Sequence, residues 1–141
     1  MKKIITIIVI FFTTSTICSQ DIFGVWESRN EKTNKVDSYV EIYKKEGKAY
    51  AKIIEITDKD RQKVVCDKCE GENKNKPILG MNILYGLSKD GNEWSGGKIL
   101  DPRNGKLYTC YIKLEGKDKL KIRGYVGFAL FGRTSYWHRK K

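Results

Sequence analysis

Histidine is nearly absent from this chain: His138 is the only one in 141 residues. A Ser-His-Asp relay would have to run through it. It stands beside Arg139-Lys140-Lys141, where an exposed strand residue is the simpler reading. No serine occupies a Gly-x-Ser-x-Gly elbow. Gly124, Gly127 and Gly132 lack the spacing of a phosphate-binding loop and the helix that should follow one. Asp58 and Asp60 form a carboxylate pair, but in a polar stretch where solvation is the expected role. Long apolar runs are missing too. None reaches the roughly 20 residues that cross a bilayer as a helix, and no segment carries a sustained, capped helical period. These absences lean the reading away from an enzyme. No catalytic residue, cofactor or transmembrane segment is assigned.

The first 20 residues read as an export signal. Lys2 and Lys3 supply a positive start, and residues 4–12 are apolar except for Thr6. That length suits the hydrophobic region of a signal peptide. A small and polar stretch follows, with cleavage expected near Ser19 or Gln20 and a mature chain from about Asp21. A buried N-terminal strand is the plainer alternative. Lipidation at Cys18 is disfavoured, because Ile17 stands where a small residue is wanted. The expected location is periplasmic or secreted, with residues 21–141 forming one domain.

The charge is strongly positive, +11 from 28 basic and 17 acidic residues. Such a balance attracts polyanions. The lysines, however, are spread through turns and strand faces among Glu and Asp, with no block beyond Arg139-Lys140-Lys141. An exported chain has little access to nucleic acid, so none is expected as a partner; an anionic envelope component fits better.

Period-two patterns broken by turn signals dominate the rest. Candidate strands cover residues 24–28, 36–43, 48–56, 79–87, 93–100, 106–114, 120–124 and 132–139. Leu79, Met81, Ile83, Tyr85 and Leu87 are placed on one face. Asp90-Gly91 and Asn104-Gly105 mark tight turns, because both pairs accept positive φ. Gly96-Gly97 points to a bulge or a close backbone approach. Residues 126–131 read as one short turn. About eight antiparallel strands in consecutive hairpins predict an all-β, up-and-down barrel, which removes exposed sheet edges. A two-sheet sandwich is the alternative. Residues 58–77 fit neither pattern: a long polar loop of this kind is uncommon unless functional or tied down.

Several motifs resemble a known family. Gly24-Val25-Trp26 is similar to the Gly-x-Trp that opens lipocalin-like barrels. Lys76-Pro77-Ile78-Leu79-Gly80-Met81, Gly96-Gly97-Lys98-Ile99-Leu100-Asp101-Pro102, Asn104-Gly105-Lys106, Arg123-Gly124-Tyr125-Val126-Gly127 and Gly132-Arg133-Thr134 with Trp137 follow in order. This order resembles the bacterial family catalogued as domain of unknown function 2147, over essentially the whole mature chain. The resemblance implies an exported protein with a lipocalin-like (calycin) barrel and no established activity. It also implies a barrel end closed by Trp26 with a C-terminal arginine over it, Arg133 or Arg139 being the candidates.

Three cysteines remain after the leader: Cys66, Cys69 and Cys110. Cys66-Asp67-Lys68-Cys69 has the spacing shared by redox motifs and zinc knuckles, but an oxidising compartment favours a structural disulfide. The pairing is open between a bridge within the motif and one to Cys110. Cys69 to Cys110 is slightly preferred, since tying a long loop stabilises more. Three thiolates plus His138 would make a zinc set, yet nothing in the sequence brings His138 to the loop, and no metal is assigned.

The functional reading is a non-enzymatic barrel that binds a small apolar or amphipathic ligand. Trp26, Met81, Ile83, Trp94, Tyr108 and Trp137 are the candidate interior residues. The alternative is an envelope interaction module for anionic polymer, lipid or protein, using the basic faces of Lys121 and Arg123.

Overall fold

The computed structural model describes residues 20–141. The leader assigned to residues 1–20 therefore lies outside the described residues, Gln20 excepted. Eight strands run β1 Gly24–Arg29, β2 Val36–Lys45, β3 Lys48–Ile56, β4 Asn82–Asp90, β5 Glu93–Asp101, β6 Lys106–Leu114, β7 Lys119–Tyr125 and β8 Gly132–Arg139. Each pairs antiparallel with its neighbours in sequence, and β1 pairs with β8 to close a barrel. The sandwich alternative is thereby excluded.

Alternation along the strands builds the interior. Val40 and Ile42 on β2, Ala49, Ala51 and Ile53 on β3, Cys110 and Ile112 on β6, and Leu120 and Ile122 on β7 are buried in one cluster. Each large aliphatic side chain so buried contributes about 1.5–3 kcal/mol. Glu41, Tyr50, Lys52, Tyr111 and Lys121 occupy the intervening positions.

Strand β4 departs from the expected single face. It begins at Asn82, so Leu79 precedes it and is partly exposed. Its register against β3 shifts twice, around Ala51. A one-residue slip exchanges the two faces of a strand. Ile83, Leu84 and Leu87 are consequently buried in the barrel cluster, whereas Tyr85 is not part of it. Met81 packs instead with Cys66, Cys69 and Leu100 in a second, separate cluster.

The loop of residues 58–77 is ordered by its own backbone. Val65 bridges to Pro77, Cys66 N–H donates to the Lys76 carbonyl at 2.8 Å, and Asn75 N–H donates to the Cys66 carbonyl at 2.9 Å. Short 3₁₀ turns lie at Lys59–Arg61 and Gly71–Asn73. The loop lies against the open end of β4 to β6. Asn73 donates to the Tyr85 hydroxyl at 3.2 Å, and the Lys68–Cys69 peptide rests on Gly105 so closely that a β-carbon there would lie 2.0 Å from the Lys68 carbonyl oxygen.

Gly97 marks a close backbone approach within the barrel wall. A β-carbon at that position would stand 2.2 Å from the Tyr85 carbonyl oxygen and 2.9 Å from Leu87 Cδ2. Backbone cannot yield as a flexible side chain does, so Gly97→Ala is expected to destabilise the fold by roughly 1–3 kcal/mol. Urea unfolding should show a lower midpoint with an unchanged slope; an unaltered midpoint would mean that β4 and β5 are less closely apposed.

Candidate ligand-binding cavity

The barrel has two unlike ends. The turns 46–47, 91–92 and 115–118, together with residues 20–23, gather at one. Loops 30–35, 57–81, 102–105 and 126–131 gather at the other.

The first end is plugged. Trp26, at the start of β1, is fully buried, and its indole N–H donates to the Ile22 carbonyl at 2.8 Å. The Arg139 guanidinium lies 4.3 Å from the Trp26 ring centroid. Its remaining donors reach three backbone carbonyls: Asp21 at 2.8 Å, Lys117 at 2.9 Å and Phe23 at 3.2 Å. Planar geometry lets one arginine do both, its face stacking while its edge donates. Phe23 in turn sets its ring edge-on to Trp94, 5.4 Å between centroids.

The other end opens into a cavity of about 720 Å³. Its wall is apolar: Val40, Ile53, Ile83, Ile99, Ile122 and Trp137. Its rim is charged. Arg133 pairs with Glu31 at 2.8 Å, and Arg103 grips both carboxylate oxygens of Asp101 at 3.0 Å. Burial raises the pKa of Asp101. The side-chain and backbone hydrogen bonds from Arg103, with the charges of Arg103 and Arg133, outweigh that effect and hold the carboxyl below its ordinary value.

The predicted residues fall in different places. Trp26 and Trp94 are at the floor, and Ile83 and Trp137 line the cavity. Tyr108 stands at the rim, half-buried, its hydroxyl accepting from Asn104 at 2.9 Å. Met81 lies outside the barrel interior, for the register reason given above. Of the two arginines, only Arg139 stacks on Trp26; Arg133 sits at the opposite end with Glu31. Ile53, Ile99, Asp101 and Arg103 also line the cavity. The phase of Ile99 with Gly97 marks it in the sequence, whereas Asp101 and Arg103, beside Pro102 and Asn104-Gly105, carry only turn signals.

Cys66 and Cys69 are joined by a disulfide, and Cys110 is free and buried. The preferred Cys69–Cys110 bridge is therefore not formed. Cys110 points into the barrel, opposite Gly97 and Gly124, while the loop cysteines belong to the second cluster. The barrel wall separates them. The Cys₃His zinc set fails for the same reason, since His138 on β8 pairs with Glu27 and Lys119 toward the plugged end.

An eight-stranded up-and-down barrel, closed at one end and hollow at the other, defines a lipocalin-like protein. The model of a family described as an uncharacterized protein conserved in bacteria (DUF2147) matches residues 24–139, and the chain belongs to that family. Among solved structures, it resembles protein HP1028 from the human pathogen Helicobacter pylori, described as belonging to the lipocalin family. The two are 22% identical, with a TM-score of 0.74 over 86% of this chain and 84% of that one. At this identity the likeness concerns the fold. No curated protein matches the sequence.

Two measurements follow from this geometry. Arg139→Ala is expected to lose about 2–4 kcal/mol of stability, from the cation–π contact and the charged hydrogen bonds together, and Arg139→Lys to recover less than half. Equal stability of the three proteins in urea would refute the role of the guanidinium. Burial pushes the Cys110 thiol up to about 12, with the Lys98 charge only partly opposing it. The fold therefore favours the neutral thiol. Its contribution to stability is intact below pH 9, the ordinary value, and is lost as pH rises from 9 toward 12. Cys110→Ala should flatten that alkaline decline, and iodoacetamide at pH 8 should label Cys110 only in denaturant.

Proposed function

We propose that this protein is an exported bacterial barrel that carries one small amphipathic ligand, its apolar part among Ile83, Ile122 and Trp137 and its polar end at the charged rim. The observation that carries the reading is the cavity itself, about 720 Å³, apolar in depth and charged at the mouth. That volume falls in the usual range for small-molecule sites, and an eight-stranded barrel is wide enough for one small ligand. The lipocalin-like fold is consistent with such a partner. A disulfide in a protein of a bacterial family fits export. The finer location, periplasmic or secreted, rests on the leader-like residues 1–20. Protein recovered from the culture or cell envelope should begin near Asp21.

A second reading is an envelope interaction surface for anionic polymer or lipid. It is favoured by the outer wall of β6–β8, where Lys113 stands opposite Lys121, Lys121 lies 6.0 Å from the Tyr111 ring and Lys119 lies 4.3 Å from the Tyr136 ring.

The ligand reading is tested by titrating long-chain carboxylates, alcohols and isoprenoid alcohols while following tryptophan emission, with native mass spectrometry for stoichiometry. One ligand per chain is expected, and for the uncharged alcohols binding should be nearly insensitive to salt because the contact is apolar. Ser135→Phe, which places a ring in the cavity, should weaken binding at least roughly tenfold while the fold persists. Absence of any retained ligand across the series, or unaltered binding by Ser135→Phe, would sink the cavity reading. Binding to the outer wall would instead fall steeply with salt.

A further inference from the structure

We propose that the β7–β8 loop, residues 126–131, is a docking tip that seats the open end of the barrel on an anionic lipid bilayer. This rests on the anionic-lipid partner of the second reading, places it at the open end, away from Lys113, Lys119 and Lys121, and names the segment that enters it.

The loop is apolar without interruption: Val126-Gly127-Phe128-Ala129-Leu130-Phe131. Val126, Phe128, Leu130 and Phe131 are 70%, 77%, 80% and 75% exposed, the four most exposed large apolar side chains among the described residues. Scattered apolar residues on a surface need no explanation, but a contiguous cluster marks an interaction site. Leu107, 55% exposed, borders the same groove as Val126 and widens the patch.

The backbone of the tip is prepared for an apolar phase. Arg123 donates to the Ala129 carbonyl from Nε at 2.9 Å and from Nη2 at 2.7 Å, and Nη2 also reaches the Leu130 carbonyl at 3.1 Å. Phe131 N–H donates to the Phe128 carbonyl at 3.0 Å. In water these carbonyls would be hydrated at no cost. At the acyl boundary an unpaired carbonyl is costly, and here the side chain of the supporting strand already satisfies two of them.

Charge selects an anionic surface. Lys106, at the start of β6, borders the groove shared by Leu107 and Val126 and makes no ion pair among the described residues, and the loops gathered at this end carry nine Lys and Arg against six Asp and Glu. Two of the acids at this end, Glu31 and Asp101, are neutralised by Arg133 and Arg103. Insertion of a few apolar side chains beside unpaired cations is the physical recipe for interfacial binding. A second copy of the chain fits less well. Four side chains expose on the order of 600 Å² by the usual areas of such residues, below the roughly 800 Å² per partner of a specific interface. Val126 and Phe131 also line the cavity mouth, so docking would set that mouth on the bilayer surface.

The test is co-sedimentation of the exported protein with phosphatidylglycerol-rich and with phosphatidylcholine vesicles. Preferential binding to the anionic vesicles is expected. The triple variant Phe128→Ser, Leu130→Ser, Phe131→Ser should lower the partition coefficient at least roughly tenfold, with near-ultraviolet dichroism confirming an intact barrel. Phe128→Trp should add an emission that shifts blue on vesicles and is quenched by lipids brominated in the acyl chain. Anionic binding that the triple variant leaves intact, and that salt abolishes, would overturn the docking tip while leaving the polyanion reading standing. Binding to neither vesicles nor heparin would end both. A dimer in solution that the triple variant dissolves would assign the tip to self-association and overturn the proposal.

Discussion

The stacking of Arg139 on Trp26 is the contact on which the hollow shape depends. These residues face each other across the only junction between the first and last strands, which holds three residue pairs: Trp26 with Arg139, Glu27 with His138 and Ser28 with Trp137. Were that junction to part, β1 and β8 would become open edges, and an exposed strand edge is both unstable and prone to pair with other chains. The same arginine ties the segment before β1 and the turn after β6 to the floor. Plug and seam are thus one structure, and the opposite end is left free to remain open.

Much of the architecture was legible because side-chain alternation is a two-valued signal. Once turns such as Asn104-Gly105 set the phase, the inward and outward positions of β6 and β7 followed. The reading broke where the phase itself changes. Strand β4 slips against β3, and no residue type announces a slip, so Met81 was counted with Ile83 although they pack in different clusters. Arg133 and Arg139 share a phase on β8, and phase alone could not say which end of the barrel each reaches. The apolar run at 126–131 carries no sequence signal of exposure, because hydrophobicity ordinarily signals burial; in the structure it stands clear of the wall.

The cysteines illustrate a different limit. Loop-closure entropy argues for the longest bridge, but it presumes that both thiols are on the same side of the sheet. Cys110 faces inward, and the loop is already held from outside by Met81 and Leu100 and by its own backbone bridge at Val65 and Pro77. A bridge spanning three positions, Cys66 to Cys69, then adds local rigidity to a segment whose position is set by other contacts.

The neighbour-to-neighbour order of the strands has a kinetic meaning. Every sheet contact except the β1–β8 seam joins segments adjacent in sequence, and only β3 and β4 are separated by a long loop. Folding rates fall as contacts become more distant along the chain. Hairpins from β4 through β8 can therefore zip in succession, and the last event is the meeting of the two ends of the domain. Until then the chain is a curved ribbon whose hydrophobic face is uncovered. A barrel of this design is most vulnerable to aggregation in that interval, before Arg139 reaches Trp26.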